Sequence, residues 1–163
     1  MLIMAGHPPE QAKAETLARF TDPGPGHINC AQAVLHYGLL LRGLDPELIV
    51  DARYLGGGIA AMGEACGALT GAALALGLRD SALDHEDPNL RPRTTESLQE
   101  LLRKFTAEFG SRRCVELTGY DLSTPEGHKA FGESEARKRC ADYVGWMCDQ
   151  LTPLLAGREA PPA

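Results

Sequence analysis

The stretch "GGGIAAMGEACGALTGAALALGL", Gly56 to Leu78, decides how the chain is read. It is glycine-rich at its start and almost wholly apolar at its end. A phosphate-binding loop would place Lys and Ser/Thr after its last glycine, and neither follows. Gly56, Gly58 and Ala61 fit a dinucleotide-binding pattern, but that pattern needs a preceding strand and a parallel sheet. The segment before it, "DPELIVDARYLGG", instead carries helix-start signals, with Asp45 as N-cap and Pro46 at the first helical position. The stretch "EACGALTGAALALGL" is apolar nearly all round and predicts a central, deeply buried helix. On it Gly63, Gly67, Gly71 and Ala75 recur every four residues, a stripe with almost no side chain. Such a stripe lets a second backbone or a rigid cofactor come close, at about 1 kcal/mol per glycine relative to alanine.

Working outward, helix signals dominate. "EQAKAETLARF" is amphipathic. "NCAQAVLHYGLLL" opens with Asn29 as N-cap and Gln32 as its capping-box partner. "SALDHEDPNLRPR" is polar and proline-broken, and reads as a surface loop. "TTESLQELLRKFTAEFG" places Leu98, Leu101, Leu102, Phe105 and Phe109 on one face, with Gly110 as its stop. "SRRCVELTGYDL" reads as a short helical turn capped from Ser111. "TPEGHKAFGESEARKRCADYVGWMCDQL" gives one or two helices up to Pro153. No strand alternation and no internal repeat are visible. The expectation is an all-α bundle of about five to seven helices over residues 1–155, with 156–163 as a disordered tail.

The chain of 163 residues has a net charge of -6, which argues against nonspecific nucleic-acid binding. No run of eighteen apolar residues and no signal-peptide pattern is present, so the expected location is cytoplasmic. The five cysteines, Cys30, Cys66, Cys114, Cys140 and Cys148, are odd in number, and the chain is too large for a disulfide-stapled miniprotein. Cys66 lies near a helix N-terminus, where free N–H groups favour a thiolate. Cys30 follows its N-cap, Arg112 and Arg113 flank Cys114, and Lys138 and Arg139 precede Cys140. Such positive charge lowers a thiol pKa and offsets a metal–thiolate centre. Cys148 lies eight residues after Cys140 on one helix, about 12 Å along the axis, and reads as a packing residue. His27 reads as a surface histidine, with a role beside or in place of a metal ligand as the alternative. No Ser/His/Asp set or paired carboxylates form a self-contained catalytic constellation.

Four motifs, "NCAQAVL" around Cys30, "CGALTGAALALGL" from Cys66, "RCVELTGYDL" around Cys114 and "RCADYVGWM" around Cys140, together resemble the C_GCAxxG_C_C family of redox-active proteins. The family is itself similar to the helical domain of split-Soret cytochrome c. The resemblance runs from about Phe20 to Leu151, and departs from the literal Gly-Cys-Ala-x-x-Gly at Ala65-Cys66-Gly67. It implies that Cys30, Cys66, Cys114 and Cys140 are metal ligands for an iron–sulfur cluster, [2Fe–2S] in the first place, serving electron transfer or sensing with an unknown redox partner protein. Gly63, Gly67 and Gly71 would then give room for the cofactor. The resemblance is compatible with a homodimer. No haem carries over, because no Cys-x-x-Cys-His motif is present. With 35, 47 and 25 residues between them, the four cysteines are unlike a compact ferredoxin or zinc loop. Two alternatives stay open: a thiol–disulfide redox protein, and a structural zinc-binding or partner-binding helical module.

Overall fold

A computed structural model describes residues 5–156, except Ala82. Seven α-helices and one 3₁₀-helix make up the regular structure of the described residues, which contain no strand. They are α1 (Pro9–Thr21), α2 (Cys30–Leu41), the 3₁₀-helix (Pro46–Leu55), α3 (Gly67–Arg79), α4 (Leu90–Phe109), α5 (Cys114–Thr118), α6 (Pro125–Gly132) and α7 (Glu135–Leu155). The all-α expectation holds. Of the tail expected over 156–163, Ala156 is the C-cap of α7, and 157–163 lie outside the described residues.

The core is built on α2 and α3. Both are nearly featureless in polarity: Ala31, Ala33, Val34, Leu35, Tyr37 and Leu39 of α2, and Ala68, Leu69, Ala72 and Ala75 of α3, are buried. Small residues bring the two axes together. A Cβ on Gly71 would lie 2.4 Å from the Ala31 carbonyl oxygen, and one on Gly38 would lie 2.9 Å from the Ala75 Cβ. Helix α7 covers this pair with Val144, Met147, Cys148 and Leu151, all fully buried. Its register is pinned where Tyr37 Oη and Thr152 Oγ1 bond at 2.6 Å. On the other side of α2, His36 Nδ1 and Thr16 Oγ1 of α1 bond at 2.8 Å in the core. Phe105 and Phe109 of α4 meet Tyr143 and Trp146 of α7 in a cluster of edge-to-face rings.

The expected capping box is present. Asn29 Oδ1 accepts from Gln32 N–H at 2.9 Å, and Gln32 Oε1 accepts from Asn29 N–H at 3.0 Å. Both side chains do more than cap. Asn29 Nδ2 donates to the Arg53 carbonyl at 3.0 Å, and Gln32 Nε2 to the Ile49 carbonyl at 3.3 Å. The 3₁₀-helix is thereby tied to the start of α2.

Three expectations need correction. Helix α4 begins at Leu90 inside the expected loop, with Pro92 in its first turn. A first-turn residue has no intrahelical N–H partner, so proline costs nothing there. Helix α7 runs through Pro153 to Leu155 and stops two residues beyond the expected end. The four-residue stripe is shorter than its sequence suggests. Gly63 has φ +74° and lies outside the helix, which starts at Gly67 with Cys66 as its N-cap.

What replaces the first turn of that helix is unusual. Gly57, Gly58, Ile59, Ala60 and Ala61 all have positive φ, at 64°, 74°, 62°, 50° and 63°. This is a left-handed turn containing three consecutive non-glycine residues, each strained by roughly 1–2 kcal/mol. Long-reach backbone bonds hold it. Ala60 N–H donates to the Tyr54 carbonyl at 2.7 Å, Gly63 N–H to Gly57 at 3.1 Å and Glu64 N–H to Gly58 at 2.9 Å.

Candidate functional site

The left-handed turn delivers the chain to a short backbone clamp. Cys66 N–H donates to the Arg112 carbonyl at 2.8 Å. In return Cys114 N–H donates to the Glu64 carbonyl at 2.7 Å, and Val115 N–H to Gly63 at 3.1 Å. Ala65 and Arg113 form an isolated antiparallel bridge. Cys66 and Cys114, with 47 residues between them in sequence, are set side by side by main-chain bonds.

Glycine then clears the ground around the sulfurs. A Cβ on Gly67 would lie 2.1 Å from Cys30 Sγ, so only glycine lets that sulfur rest against the start of α3. A Cβ on Gly58 would lie 2.6 Å from the Cys114 Cβ. Gly63 and Gly71 do a different job: their missing side chains make room for Val115 and for Ala31 with Val34. Of the three glycines expected beside a cofactor, only Gly67 touches a cysteine sulfur. None of the three lines the cavity described next.

Cys30, Cys66, Cys114 and Cys140 all line one cavity of about 750 Å³. They come from four elements: the first turn of α2, the N-cap of α3, the first residue of α5 and the second turn of α7. Cys66 and Cys114 are buried, Cys30 and Cys140 partly so, and none is in a disulfide. Tyr143 and Leu117 back the cavity, with Tyr143 Oη donating to the Leu117 carbonyl at 3.4 Å. Thr118 Oγ1 donates to the Cys114 carbonyl at 2.8 Å and fixes the end of α5. Cys148 points away into the fully buried core, in the packing role expected of it.

The expected lowering of the thiol pKa values is overturned. Burial pushes all four thiols up, against the helix N-termini and the neighbouring cations. Cys30 is raised by burial, with partial relief from the N–H groups of Gly57, Ala31 and Gly67. Cys66 is raised well above the ordinary value by burial and then by the nearby Cys30, Cys114 and Cys140 thiols. Cys114 is pushed up to about 11 and Cys140 to about 12, again chiefly by burial. Arg139 only partly opposes this at Cys140. Ser111 does not cap α5: its Oγ accepts from Arg113 N–H at 3.0 Å, and the N-cap is Arg113. The mutual repulsion among thiolate forms has a chemical meaning. Four cysteines that resist ionising together are relieved by a cation, by a metal–sulfur group, or by oxidation.

Among the described residues, no three His, Cys, Asp or Glu side chains converge tightly enough to grip a metal ion as they stand. The four thiols share the lining of one cavity. His27 lines the same cavity, and its Nδ1–H donates to the Phe20 carbonyl at 2.8 Å, so one ring nitrogen is already committed. Sequence reasoning missed the left-handed turn, which supplies Gly57, Ala60 and Ala61 to the lining. The triple glycine gave half of that signal. The non-glycine half, Ile59 to Ala61, has no local signature.

Residues 28–154 match the family described as "Putative redox-active protein (C_GCAxxG_C_C)". No curated protein and no solved structure matches the chain.

Proposed function

The chain belongs to this C_GCAxxG_C_C family, and from that premise we propose that its four-cysteine cavity holds an iron–sulfur cluster, most simply [2Fe–2S]. One observation carries the reading: Cys30, Cys66, Cys114 and Cys140, from four separate elements, line one cavity as free thiols. An all-thiolate donor set suits an iron–sulfur group. Gly67 supports it by leaving Cys30 Sγ against the N-cap of α3. When bound, the group would supply one-electron exchange. The protein's own part is to hold four sulfurs on a fixed frame, to exclude water with Leu117, Leu122 and Tyr143, and to give up four thiol protons as the site loads. Because burial holds those protons on, loading should speed up as pH rises from 7 to 9.

The described residues include no helix long and apolar enough to cross a membrane. Free cysteines suit a reducing compartment such as the cytoplasm. The exposed large apolar side chains among the described residues, Val50, Tyr54, Ile59 and Met62, fall within one stretch of sequence, and Tyr54 lines the cavity. They support contact there with a redox partner protein or a second copy.

The test is anaerobic reconstitution with iron and sulfide. The expected product is coloured and carries about two irons per chain. Cys140→Ser should lose the colour, while Cys148→Ala, eight residues away on the same helix, should keep it. A colourless, iron-free chain that shows a mass loss of about 2 Da per disulfide under mild oxidant would favour thiol–disulfide chemistry. One tightly held zinc with no redox response would favour the structural module.

A further inference from the structure

The cavity is much larger than its sulfurs require. Metal–sulfur bonds are about 2.3 Å long, so any inorganic group stays at the end where the thiols are. A volume of about 750 Å³ instead falls in the range of roughly 300–1,000 Å³ that encloses small organic molecules. Exposure orders the lining. Cys66, Cys114, Leu117 and Leu122 are buried at a closed end, while Arg53, Tyr54 and Arg137 are exposed at an open one.

The open end has a distinct chemistry. The whole chain holds four Phe, four Tyr and one Trp; Tyr143 backs the cavity, and Phe20, Tyr54 and Phe131 line the rest of it. Tyr54 is 76% exposed, so its ring lies uncovered at the mouth. Phe20 is braced by the His27 ring at 5.9 Å and Phe131 by the Tyr120 ring at 6.1 Å. Arg53, from the 3₁₀-helix, and Arg137, from α7, form no ion pair among the described residues. Lys138 is occupied by Glu135 at 2.7 Å. Glu133 also stands at the mouth, so an anion must sit toward the two guanidiniums and away from it. The strained Ala60 and Ala61 present only methyl groups to the same space. Backbone strain of this kind collects where a ligand site must be kept open.

We propose that the open end of the cavity binds a small organic anion with a flat ring. The ring lies against Phe20, Tyr54 and Phe131, and the carboxylate or phosphate meets Arg53 and Arg137. The proposal gives the four-thiol site an organic ligand, and rests on that site only for what occupies the closed end.

The test titrates the full chain with riboflavin 5′-phosphate and riboflavin, and with 2-naphthoate and 2-naphthamide, following ligand fluorescence. Each pair separates the anion from its neutral counterpart. The expected result is saturable one-to-one binding of at least one anion, about tenfold tighter than its neutral partner, as for a charge-assisted contact. Arg53→Gln with Arg137→Gln should abolish that difference. Tyr54→Ala should weaken both members of a pair alike, with an unchanged circular dichroism spectrum. No saturable binding of either anion would overturn the proposal, as would equal binding of both pairs that ignores the arginines. Iron content is measured separately on the same samples. Binding without iron leaves this proposal standing and removes the cluster reading, and iron without binding does the reverse.

Discussion

Cys66 has two supports of opposite character. After it runs α3, a regular helix whose Gly71 and Ala75 let α2 come close. Before it runs the left-handed turn, five residues at positive φ, held only by backbone bonds that reach back across several residues. The helix is made of its own local preferences plus packing. The turn is made against local preference, and those backbone bonds hold it there. A site residue placed between a relaxed element and a strained one is located precisely, yet its two sides should answer oppositely to the same kind of change.

The largest effect should come from the helical side. His36 of α2 is buried against Thr16, and burial lowers its pKa from 6.5 to about 4. The cation is the disfavoured form. The stability from keeping it neutral is therefore complete above pH 6.5 and is lost as pH falls through about 4. Urea unfolding at pH 7.5 and 4.5 should differ by about 2–3 kcal/mol more in the parent than in His36→Gln. Equal acid sensitivity in the two would place the acid weakness elsewhere.

Next is Gly71→Ala. Its Cβ would fall 2.4 Å from the Ala31 carbonyl oxygen and 3.0 Å from the Val34 Cβ, so two helices must separate. Overpacking of this kind should cost about 2 kcal/mol, lowering the thermal midpoint by roughly 4–8 °C for a chain of this size. An unchanged midpoint would mean that the α2–α3 contact is looser than its geometry.

The smallest effect carries the opposite sign. Ala60→Gly in the left-handed turn should relieve strain and stabilise by about 0.5–1 kcal/mol, because that relief exceeds glycine's entropic cost. Ala72→Gly on the helical side of Cys66 should instead cost about 1 kcal/mol. Differential scanning calorimetry on the pair decides it. If both lose stability, the turn is not strained in solution.

How far the sequence spoke follows the same division. The capping box at Asn29 and Gln32, the apolar α3 and the amphipathic face ending in Phe109 are local patterns, and all were legible. The four-residue spacing alone puts Gly63 on the helix, and spacing carries no information about the sign of φ. Ile59 to Ala61 were illegible for a stronger reason: their conformation contradicts what those side chains prefer. The grouping of four cysteines could be expected only through family resemblance, since the main-chain clamp from Gly63 to Cys66 leaves no mark on side-chain pattern. The thiol pKa values went astray because neighbouring cations are visible in a sequence while burial is not. At Cys140 burial outweighs Arg139.

The clamp and the distribution of the cysteines over α2, α3, α5 and α7 also govern when the cavity comes into being during synthesis. Cys140 belongs to α7, so no nascent chain that stops short of that helix carries the full set of thiols, and one that stops short of Arg112 cannot seat Cys66 against its backbone partner. Assembly of the site thus waits for α7, and a filled site would certify that the chain has been made and folded through that helix.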